Sequence, residues 1–352
     1  MQLTRSLRNV GARYVEKVRL LDYWKVNDEV LAREFPRSRF VLMVDKRPLI
    51  YRNRPSPELA VFDYPDLRKR LGDYGVTFDL RHSCLLDAVP TNDDMFTPLF
   101  GVAVTTEDPP EDSPIQKNDV IRELGNCLEG KFIEMRIAML TMNCERQRCL
   151  LATFQSLSRW SRIYLRCPKC AAALKMRVSK SGAACNSCKR VYYPTFSPVA
   201  ITLIRDPTDQ HCLLVRHKGS ANGIFTCVAG FASTGETMND CARREIAEEV
   251  GIDVISITSL GMSQPWPMPD SSLMLAFEAV ANMSDPIDTS PDELETAQWF
   301  TREQVREALT RTIEDPTLKG LPKSIEERQV FRYIPPLGAI AHQIIRNWVE
   351  RV

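Results

Sequence analysis

The clearest hydrophobic pattern in the chain lies between residues 238 and 250. Four apolar positions recur there at the spacing of one helix face: Met238, Ala242, Ile246 and Val250. Thr237 or Asn239 can cap such a helix, and Gly251 can supply the left-handed residue that ends it. The pattern therefore predicts a helix over residues 238–250 whose apolar stripe faces a core.

Shorter apolar runs surround this helix. They predict five strands, over residues 199–204, 212–215, 225–229, 253–260 and 273–280. An Asp-Pro turn joins the first two as a hairpin, and a Thr-x-x-Gln capping box begins a helix over residues 301–309. Mixed strands around one or two helices indicate an α+β sandwich in this half of the chain.

Residues 20–162 show a mixture of strand-like and helix-like apolar stretches, which predicts a mixed α/β N-terminal domain. Two helices are expected within residues 127–162. A loop is expected between Thr106 and Asn118, where prolines and acids interrupt the pattern. The region contains no catalytic constellation, and we expect His82 to be a structural or surface residue.

The first nineteen residues are basic and amphipathic, with Glu16 as their one acid. The basic positions are Arg5, Arg8, Arg13, Lys17 and Arg19. Residues 1–19 therefore resemble a mitochondrial presequence, although they are poor in serine. The alternative is the first helix of the N-terminal domain, in a cytoplasmic or peroxisomal protein.

Length and charge exclude several classes of protein. The 352 residues suggest two or three domains, and 44% hydrophobic with 26% charged residues is ordinary for a globular protein. Lys and Arg total 46 against 45 Asp and Glu, so no global positive field would gather nucleic acid. No apolar run approaches the ~20 residues of a membrane helix, which predicts no membrane span.

Four of the eleven cysteines form two CxxC pairs within residues 163–195, with fourteen residues between the pairs. These are Cys167, Cys170, Cys185 and Cys188. The spacing is typical of a four-thiolate zinc site, and because four thiolates saturate one tetrahedral zinc, the metal would be structural. The other cysteines are scattered, which suits a reducing compartment. Lysines and arginines of this ribbon form either a solvated surface or a nucleic-acid face, and the neutral total charge favours the former.

The predicted helix 238–250 carries three acids beside its apolar stripe. Glu245 and Glu249 lie one turn apart, and Glu248 is next to them. Like charges at this spacing cost an isolated helix about 0.2–0.5 kcal/mol per pair. A divalent cation such as magnesium or manganese would reverse that cost, bind phosphate oxygens and orient an attacking water. Arg244 is placed to hold Glu248.

The whole stretch from residue 230 to 252 resembles the Nudix box at each defining position: Gly230, Glu236, Arg244, Glu245, Glu248, Glu249 and Gly251. The resemblance covers about residues 196–350. It implies an α/β/α sandwich for a Nudix domain over residues 196–352, behind the zinc ribbon and the N-terminal domain. It also implies metal-dependent hydrolysis of a nucleoside diphosphate linked to another group.

A proline-rich segment, residues 263–274, narrows the branch. Its prolines hold Trp266 in a stiff wall suited to stacking a planar base, and the alternative is a loop with a buried Trp. The segment is similar to the SQPWPFPxS motif of NAD(H) diphosphatases, with Met268 in place of a Phe. The ribbon also precedes the Nudix domain as it does in that branch, and PPLGAIAHQII over 335–345 resembles its C-terminal segment.

This resemblance implies the remaining roles. The catalytic metals would bind the Ala229 carbonyl, Glu245, Glu249 and Glu293, with Glu248 a ligand or the base that orients water. The dinucleotide would be held by Tyr193, Gln264, Pro265, Trp266, Pro267, Met268, Pro269, Asp270, Ser271 and Ala341. Residues 20–162 would be the N-terminal domain of an NADH pyrophosphatase, one zinc would bind per chain, and the protein would be a homodimer.

The implied reaction is attack of water on the pyrophosphate of NADH, NADPH or NAD, releasing nicotinamide mononucleotide and AMP, or 2'-phospho-AMP from the phosphorylated forms. Removal of NAD caps from RNA is an alternative, and a basic track from the site would favour it; the sequence shows no obvious one. A catalytically weak Nudix binding module is the third hypothesis. The retained crowding of three glutamates on one helix argues against it.

Overall fold

The computed structural model describes residues 13–52, 54, 56–91, 93, 95–105, 116–322, 324 and 329–351. These residues form two compact units, each with its own sheet and core. The first unit comprises described residues within 1–138 and 144–195, and the second comprises 139–143 and those within 196–352. No described helix combines the length and apolar character that a membrane span requires.

The first unit contains a six-stranded mixed sheet in which β1 is parallel to β5, whereas the other pairs are antiparallel. The order is β4-β5-β1-β2-β6, and β3 pairs with β1. The strands are β1 Arg39–Val44, β2 Arg47–Tyr51, β3 Phe62–Asp63, β4 Ser83–Pro90, β5 Phe96–Val104 and β6 Gly130–Phe132. The mixed α/β prediction is confirmed.

Within the described residues, five helices accompany this sheet: α1 Tyr14–Val26, α2 Asp28–Glu34, α3 Tyr64–Gly72, α4 Lys117–Cys127 and α6 Glu145–Ile163. Helix α5 Met135–Thr141 begins in the first unit and ends in the second. The core is rich in aromatic rings at centroid distances of 4.9–6.2 Å, from Phe35, Phe40, Tyr64, Phe78 and Phe100. The two helices predicted within 127–162 are present as α5 and α6, but the short strand β6 before them was not predicted. Three residues give too short a pattern to identify a strand.

Residues 13–19 belong to this fold. They begin α1, where Lys17 is buried and its ammonium lies 2.6 Å from the carboxylate of Asp87 on β4. Trp24 of the same helix is 4% exposed and packs in the core. The rest of the presequence prediction, residues 1–12, lies outside the described residues.

The ribbon forms a small three-stranded antiparallel sheet: β7 Leu174–Met176, β8 Ala183–Cys185 and β9 Val191–Tyr192. It belongs to the first unit. The Ser179 hydroxyl donates to the Lys25 carbonyl at 2.9 Å, and the Val178 N–H donates to the Asp28 carboxylate at 2.9 Å. These bonds tie the ribbon turn to α1 and α2.

The second unit is built on a mixed sheet of order β13-β14-β10-β11-β15, in which β12 also pairs with β10. Strand β10 is parallel to β14 and antiparallel to β11. The strands are β10 Ser197–Arg205, β11 His211–His217, β12 Val228–Phe231, β13 Val254–Trp266, β14 Ser272–Ala281 and β15 Leu294–Thr301. The predicted hairpin of β10 and β11 is confirmed.

Helices cover both faces of this sheet: α7 Met238–Val250, α8 Arg302–Glu314 and α9 Ile340–Glu350. Ile246 and Val250 of α7 pack in one apolar cluster, whereas Leu309 and Trp348 of the other two helices pack in a second. The predicted α/β/α sandwich is confirmed. The capping box of α8 is present, with Thr301 and Gln304 each bonded to the other's backbone N–H.

Two predicted strands have different bounds in the structure. The strand expected over 225–229 is displaced to β12, because Thr226 pairs separately with Val215. The strand expected to end near Leu260 continues as β13 to Trp266, so the first half of the proline-rich wall is an edge strand. An edge strand tolerates Pro265 because an N–H is not required on its open side.

Candidate active site and metal centre

Local capping positions the acidic helix. The Thr237 hydroxyl accepts the N–H of Asp240 at 3.2 Å, and Gly251 ends α7 in the left-handed conformation at φ 68°. Both features agree with the sequence prediction. Ala242, Ile246 and Val250 are fully buried, so the acids beside this stripe lie along the edge of the core.

Glu245 lies against the backbone of β12. It is 9% exposed, and a Cβ added to Gly230 would lie 1.9 Å from its carboxyl carbon. No side chain larger than hydrogen fits at Gly230 while Glu245 keeps this position. The glycine of the box therefore makes room for a carboxylate.

Arg244 connects the acids of the box. Its guanidinium donates to Glu236 at 2.8 Å, to Glu245 at 2.8 Å and to Glu248 at 2.6 Å. It also donates to the Phe231 carbonyl at 2.8 Å. The hydrogen bonds that Arg244 donates to Glu236 and the other two acids raise its pKa further, although burial opposes them. The expected pairing with Glu248 is present, and the same arginine fixes the direction of Glu245.

Glu249 is the most buried acid of the helix, with 2% exposure. Burial raises its pKa to about 8, and the nearby charges of Glu245 and Glu293 add to the shift, while a bond from the Ala229 backbone lowers it. Its Oε2 is buried without a hydrogen-bond partner. An orphaned carboxylate oxygen beside a second buried acid fits a divalent cation, since hard cations prefer such oxygens.

Glu245 shows the same pattern. Burial raises its pKa, Arg244 opposes the shift, and Glu248 and Glu293 contribute to it. Glu293, just before β15, is exposed and contributes its charge to both buried acids. Glu248 and Glu293 therefore lie close enough for their charges to act on Glu245 and Glu249, and the Ala229 backbone is bonded to Glu249.

The proline-rich wall differs from expectation at Gln264. Its amide nitrogen donates to the Gly338 carbonyl at 2.7 Å, and its amide oxygen accepts the Ile340 N–H at 2.7 Å. The side chain is 7% exposed. Gln264 thus holds the turn before α9, with both ends of the amide engaged by backbone.

The rest of the wall is mixed in exposure. Trp266 is half-buried at the end of β13, and its carbonyl accepts the Ser272 hydroxyl at 2.9 Å. Pro267 is buried, whereas Pro269 and Asp270 are exposed. The sequence left open whether Trp266 stacks on a base or is buried in a loop, and the half-buried indole has features of both.

Ala341 is 3% exposed, in the first turn of α9. Its methyl packs in the cluster that contains Ile344, Ile345 and Trp348. Its methyl group is thus occupied by core packing, and its predicted place in substrate binding stays a prediction. Tyr193 lies in the first unit, 57% exposed, with the Arg177 guanidinium 5.7 Å from its ring centroid.

The sequence did not predict that Gly338, in the turn before α9, packs against the backbone of residues 139–140. A Cβ on Gly338 would lie 2.2 Å from the Met139 carbonyl, and the Gly338 N–H donates to the Leu140 carbonyl at 2.9 Å. The glycine within PPLGAIA was the one available signal. His217 was missed too: it ends β11, burial lowers its pKa, and the charge of Glu293 opposes that shift.

The four cysteines form a compact cluster in the first unit. All four sulfurs lie within 4.8 Å of one another, with Cys167–Cys188 at 3.6 Å and Cys170–Cys185 at 3.5 Å. Sulfurs around a tetrahedral ion with bonds of about 2.3 Å lie about 3.8 Å apart, so the cluster fits one metal.

The two CxxC turns are alike. In each, the residue after the second cysteine is left-handed, at φ 59° for Ala171 and 61° for Lys189, and its N–H donates to the carbonyl of the first cysteine. Burial opposes ionisation of Cys167, but bonds from the Tyr192 hydroxyl and neighbouring groups outweigh it and lower its pKa to about 6. Thiolate is the form that binds metal.

Comparison with known proteins identifies the family of this chain. The family model described as NUDIX domain matches residues 195–320. A Caenorhabditis elegans protein named NAD-capped RNA hydrolase ndx-9 is 64% identical over 347 residues, covering 99% of this chain and 92% of that protein. Human NAD(P)H pyrophosphatase NUDT13, mitochondrial, is 32% identical, covering 96% of this chain and 92% of the human protein. NAD-capped RNA hydrolase NudC of Chromobacterium violaceum is 32% identical over 63% of this chain and 72% of its own length.

Fold and site together define a hydrolase class, in which a helix with paired buried glutamates on a mixed sheet binds divalent metal. The chain belongs to the Nudix hydrolase family, in its NAD(H) diphosphatase branch with a four-cysteine ribbon.

Proposed function

We propose that the chain hydrolyses the pyrophosphate of NADH, NADPH or NAD, releasing nicotinamide mononucleotide and AMP, or 2'-phospho-AMP from the phosphorylated forms. The observation that carries this proposal is the burial of Glu245 and Glu249 with an unpartnered carboxylate oxygen. Burying two carboxylates without a full set of hydrogen-bond donors destabilises a fold unless a cation binds them. The human relative named NAD(P)H pyrophosphatase supports the choice of substrate.

The acids and the Ala229 carbonyl would hold magnesium or manganese. When bound, such a cation neutralises the pyrophosphate and stabilises the leaving phosphate. Arg244 keeps Glu245 and Glu248 directed toward one side of the helix. Glu248 is the exposed acid of the three, so it is the one able to accept a proton from an attacking water.

Substrate binding would use the wall after β13. The half-buried Trp266 offers a face to a planar base. Gln264 acts through the backbone that it holds at Gly338 and Ile340, and we assign it a positioning role.

The four-cysteine cluster would hold one zinc per chain, with a structural role because four thiolates leave no open position. The sulfur distances of 3.5 and 3.6 Å support this assignment. Metal analysis of the reduced protein should find about one zinc per chain. Its absence would contradict the assignment.

Removal of NAD caps from RNA is the second candidate. The specific observation in its favour is the 64% identity to a protein named NAD-capped RNA hydrolase. Both candidates cleave the same pyrophosphate bond. They differ because the second requires the protein to accommodate an RNA chain attached to the dinucleotide.

The deciding experiment compares hydrolysis of NADH, NADPH, NAD and NAD-capped RNA by the purified protein, with magnesium and with manganese. Glu249→Gln removes a metal ligand, and Glu307→Gln is the matched control because Glu307 is exposed on α8. We expect product from wild type and the control but not from Glu249→Gln. If all three proteins leave every substrate intact, the enzymatic proposal is wrong. The ratio of kcat/KM values ranks the two candidates.

We also propose mitochondrial import, supported by the basic, amphipathic character of residues 1–19. Removal of all nineteen residues would delete Lys17 and leave Asp87 without its buried lysine. Imaging of the full chain fused at its C terminus to a fluorescent protein tests import. Mass spectrometry of the recovered protein then locates any cleavage, and we expect it before residue 13.

A further inference from the structure

The first unit contains a cavity of about 750 Å³ that the site described above does not use. The cavity lies where the loop after α3, the end of β5, the end of α6 and the ribbon turn meet. Its volume is in the range of about 300–1,000 Å³ that is usual for small-molecule sites. Part of its wall is apolar, from Val76, Val104 and Val120.

Three cations line the same cavity. Arg81 is paired with Asp79 at 2.7 Å. Arg162 donates to the Ser158 hydroxyl at 2.9 Å and has no carboxylate partner among the described residues. The Lys180 ammonium makes neither a hydrogen bond nor an ion pair within that part of the chain. Among the described residues, Arg162 and Lys180 therefore have no carboxylate at ion-pair distance, although the charges of Asp79 and Asp28 act on Lys180 from farther away.

Lys180 is held in place by its backbone rather than by a partner for its charge. It lies in the ribbon turn at φ 62°, and the adjacent Ser179 is 1% exposed. The Ser179 hydroxyl donates to the Lys25 carbonyl, and its carbonyl accepts the Leu85 N–H at 3.2 Å. Burial lowers the pKa of Lys180, although Cys84 and Asp79 oppose the shift. A fixed and partly desolvated ammonium is costly unless an anion compensates it.

A second cavity of about 340 Å³ shares Thr105 and Arg162 with the first. It adds Lys46 and Arg47 to its wall, together with Lys117, which is paired with Asp45 at 3.5 Å. Arg162 thus lies between two basic cavities, which extends the positive region beyond the first.

We propose that the larger cavity binds a phosphorylated small molecule of about mononucleotide size. Its phosphate would be bound by Lys180 and Arg162, with the hydroxyl of Ser158 as a further donor. The Ser161 hydroxyl already donates to the Ser158 carbonyl at 3.1 Å. The ring of the ligand would lie against the apolar wall. That wall favours a compact ligand over an extended polyanion, which requires a continuous charged track. The proposal does not depend on the hydrolytic function, because all the residues belong to the first unit.

The test uses AMP as the probe and the full-length Glu249→Gln protein without added magnesium, so that metal-assisted binding of AMP as a product at the glutamate site is suppressed. Calorimetry should show saturable AMP binding, tighter than that of inorganic phosphate or adenosine alone. Lys180→Met and Arg162→Met should each weaken it about tenfold or more, since each loses a charged hydrogen bond. Lys180→Arg should retain most of the affinity.

Lys69→Met is the matched control, because Lys69 is exposed on α3 outside both cavities. It should bind AMP like the parent protein. Thermal unfolding and metal content of each variant must equal those of the parent, and Lys180→Arg covers the case in which Lys180→Met fails to fold. Absence of AMP binding at millimolar concentration, or unchanged affinity in both Met variants, overturns the proposal.

Two further outcomes would also overturn it. A short RNA that binds more tightly than AMP and depends equally on Lys180 would identify a polyanion surface. Residues 106–115, which adjoin Thr105 and lie outside the described residues, carry four acids: Glu107, Asp108, Glu111 and Asp112. If AMP binds only after these acids are changed to Gln and Asn, then acids of the chain itself, and not a ligand, neutralise the cations of the cavity.

Discussion

The cysteine cluster and the glutamate cluster both gather acidic ligands, but the fold prepares them differently. The four sulfurs lie within 4.8 Å of one another, and no carboxylates among the described residues form an equally tight group. Glu245 and Glu249 are buried, whereas Glu248 and Glu293 remain exposed. A closed set of ligands suits a structural ion, and a partly open set leaves room for substrate and water.

The two clusters also differ in what supports them. Two similar turns of adjacent residues build the cysteine cluster, so its geometry is local. The glutamates depend on Gly230, in β12, for space and on Arg244 for direction. Arg244 lies on α7 like the glutamates but also donates to the Phe231 carbonyl of β12. Changes at the two clusters should therefore have different consequences, with loss of folding in the first and loss of catalysis in the second.

The largest effect is expected at the cysteine cluster. Cys185→Ser removes one of the four buried thiolates that we propose bind zinc, so the chain should bind no zinc and the first unit should lose more than about 4 kcal/mol of unfolding free energy. Metal analysis and denaturant unfolding measure this. Cys144→Ser is the control, since Cys144 is exposed and outside the cluster. Equal metal content in the two variants would show that Cys185 is not a ligand.

Gly230→Ala should act on the other cluster without unfolding it. The new Cβ would lie 1.9 Å from the Glu245 carboxyl carbon, so that side chain must leave the position in which we propose that it binds metal. We expect kcat/KM to fall on the order of 10²-fold. Gly72→Ala is the control because a Cβ there meets nothing within 4 Å. Full activity of Gly230→Ala would mean that Glu245 does not work from its observed position.

Arg244→Lys should have a smaller effect. Lysine keeps the charge but cannot direct a planar fork at Glu236, Glu245 and Glu248 together. Loss of such support for metal ligands costs about 10–100-fold in affinity or activity. Arg243→Lys, the neighbouring residue on α7, should stay within about twofold, and metal titration followed by steady-state kinetics compares the two. Equal effects of the two changes would remove the role assigned to Arg244.

Sequence reasoning succeeded where the determinants are close together in the chain. The bounds of α7, its caps and its buried stripe follow from thirteen consecutive residues, as the ribbon follows from two CxxC turns. It did not predict the bonds of Gln264 to Gly338 and Ile340, which span 74 and 76 residues. No periodicity records such a contact. The basic cavity of the first unit was missed for the same reason, since Arg162 and Lys180 meet only after folding.

The smallest expected effect concerns pH and the metal-free protein. The pKa of Glu249 is raised to about 8 from an ordinary 4.5, so between these values the unfolded chain ionises and the folded chain does not. Its contribution to stability is present at low pH and is lost as pH rises through this window, by at most about 1.4 kcal/mol per pH unit. Glu249→Gln removes this pH-dependent contribution to stability, because an amide does not ionise in this range.

Denaturant unfolding at pH 6 and pH 7.5, without divalent cations in the buffer, compares wild type with Glu249→Gln and with Glu307→Gln. Wild type and Glu307→Gln should lose more stability than Glu249→Gln between the two values. Added magnesium should reduce the difference, because a cation binds the ionised carboxylate and offsets the cost of burying it. An equal loss of stability in all three proteins would mean that Glu249 ionises below pH 6 in the folded protein. The glutamate cluster would then differ from the cysteine cluster in geometry, but its buried acid would not resist ionisation.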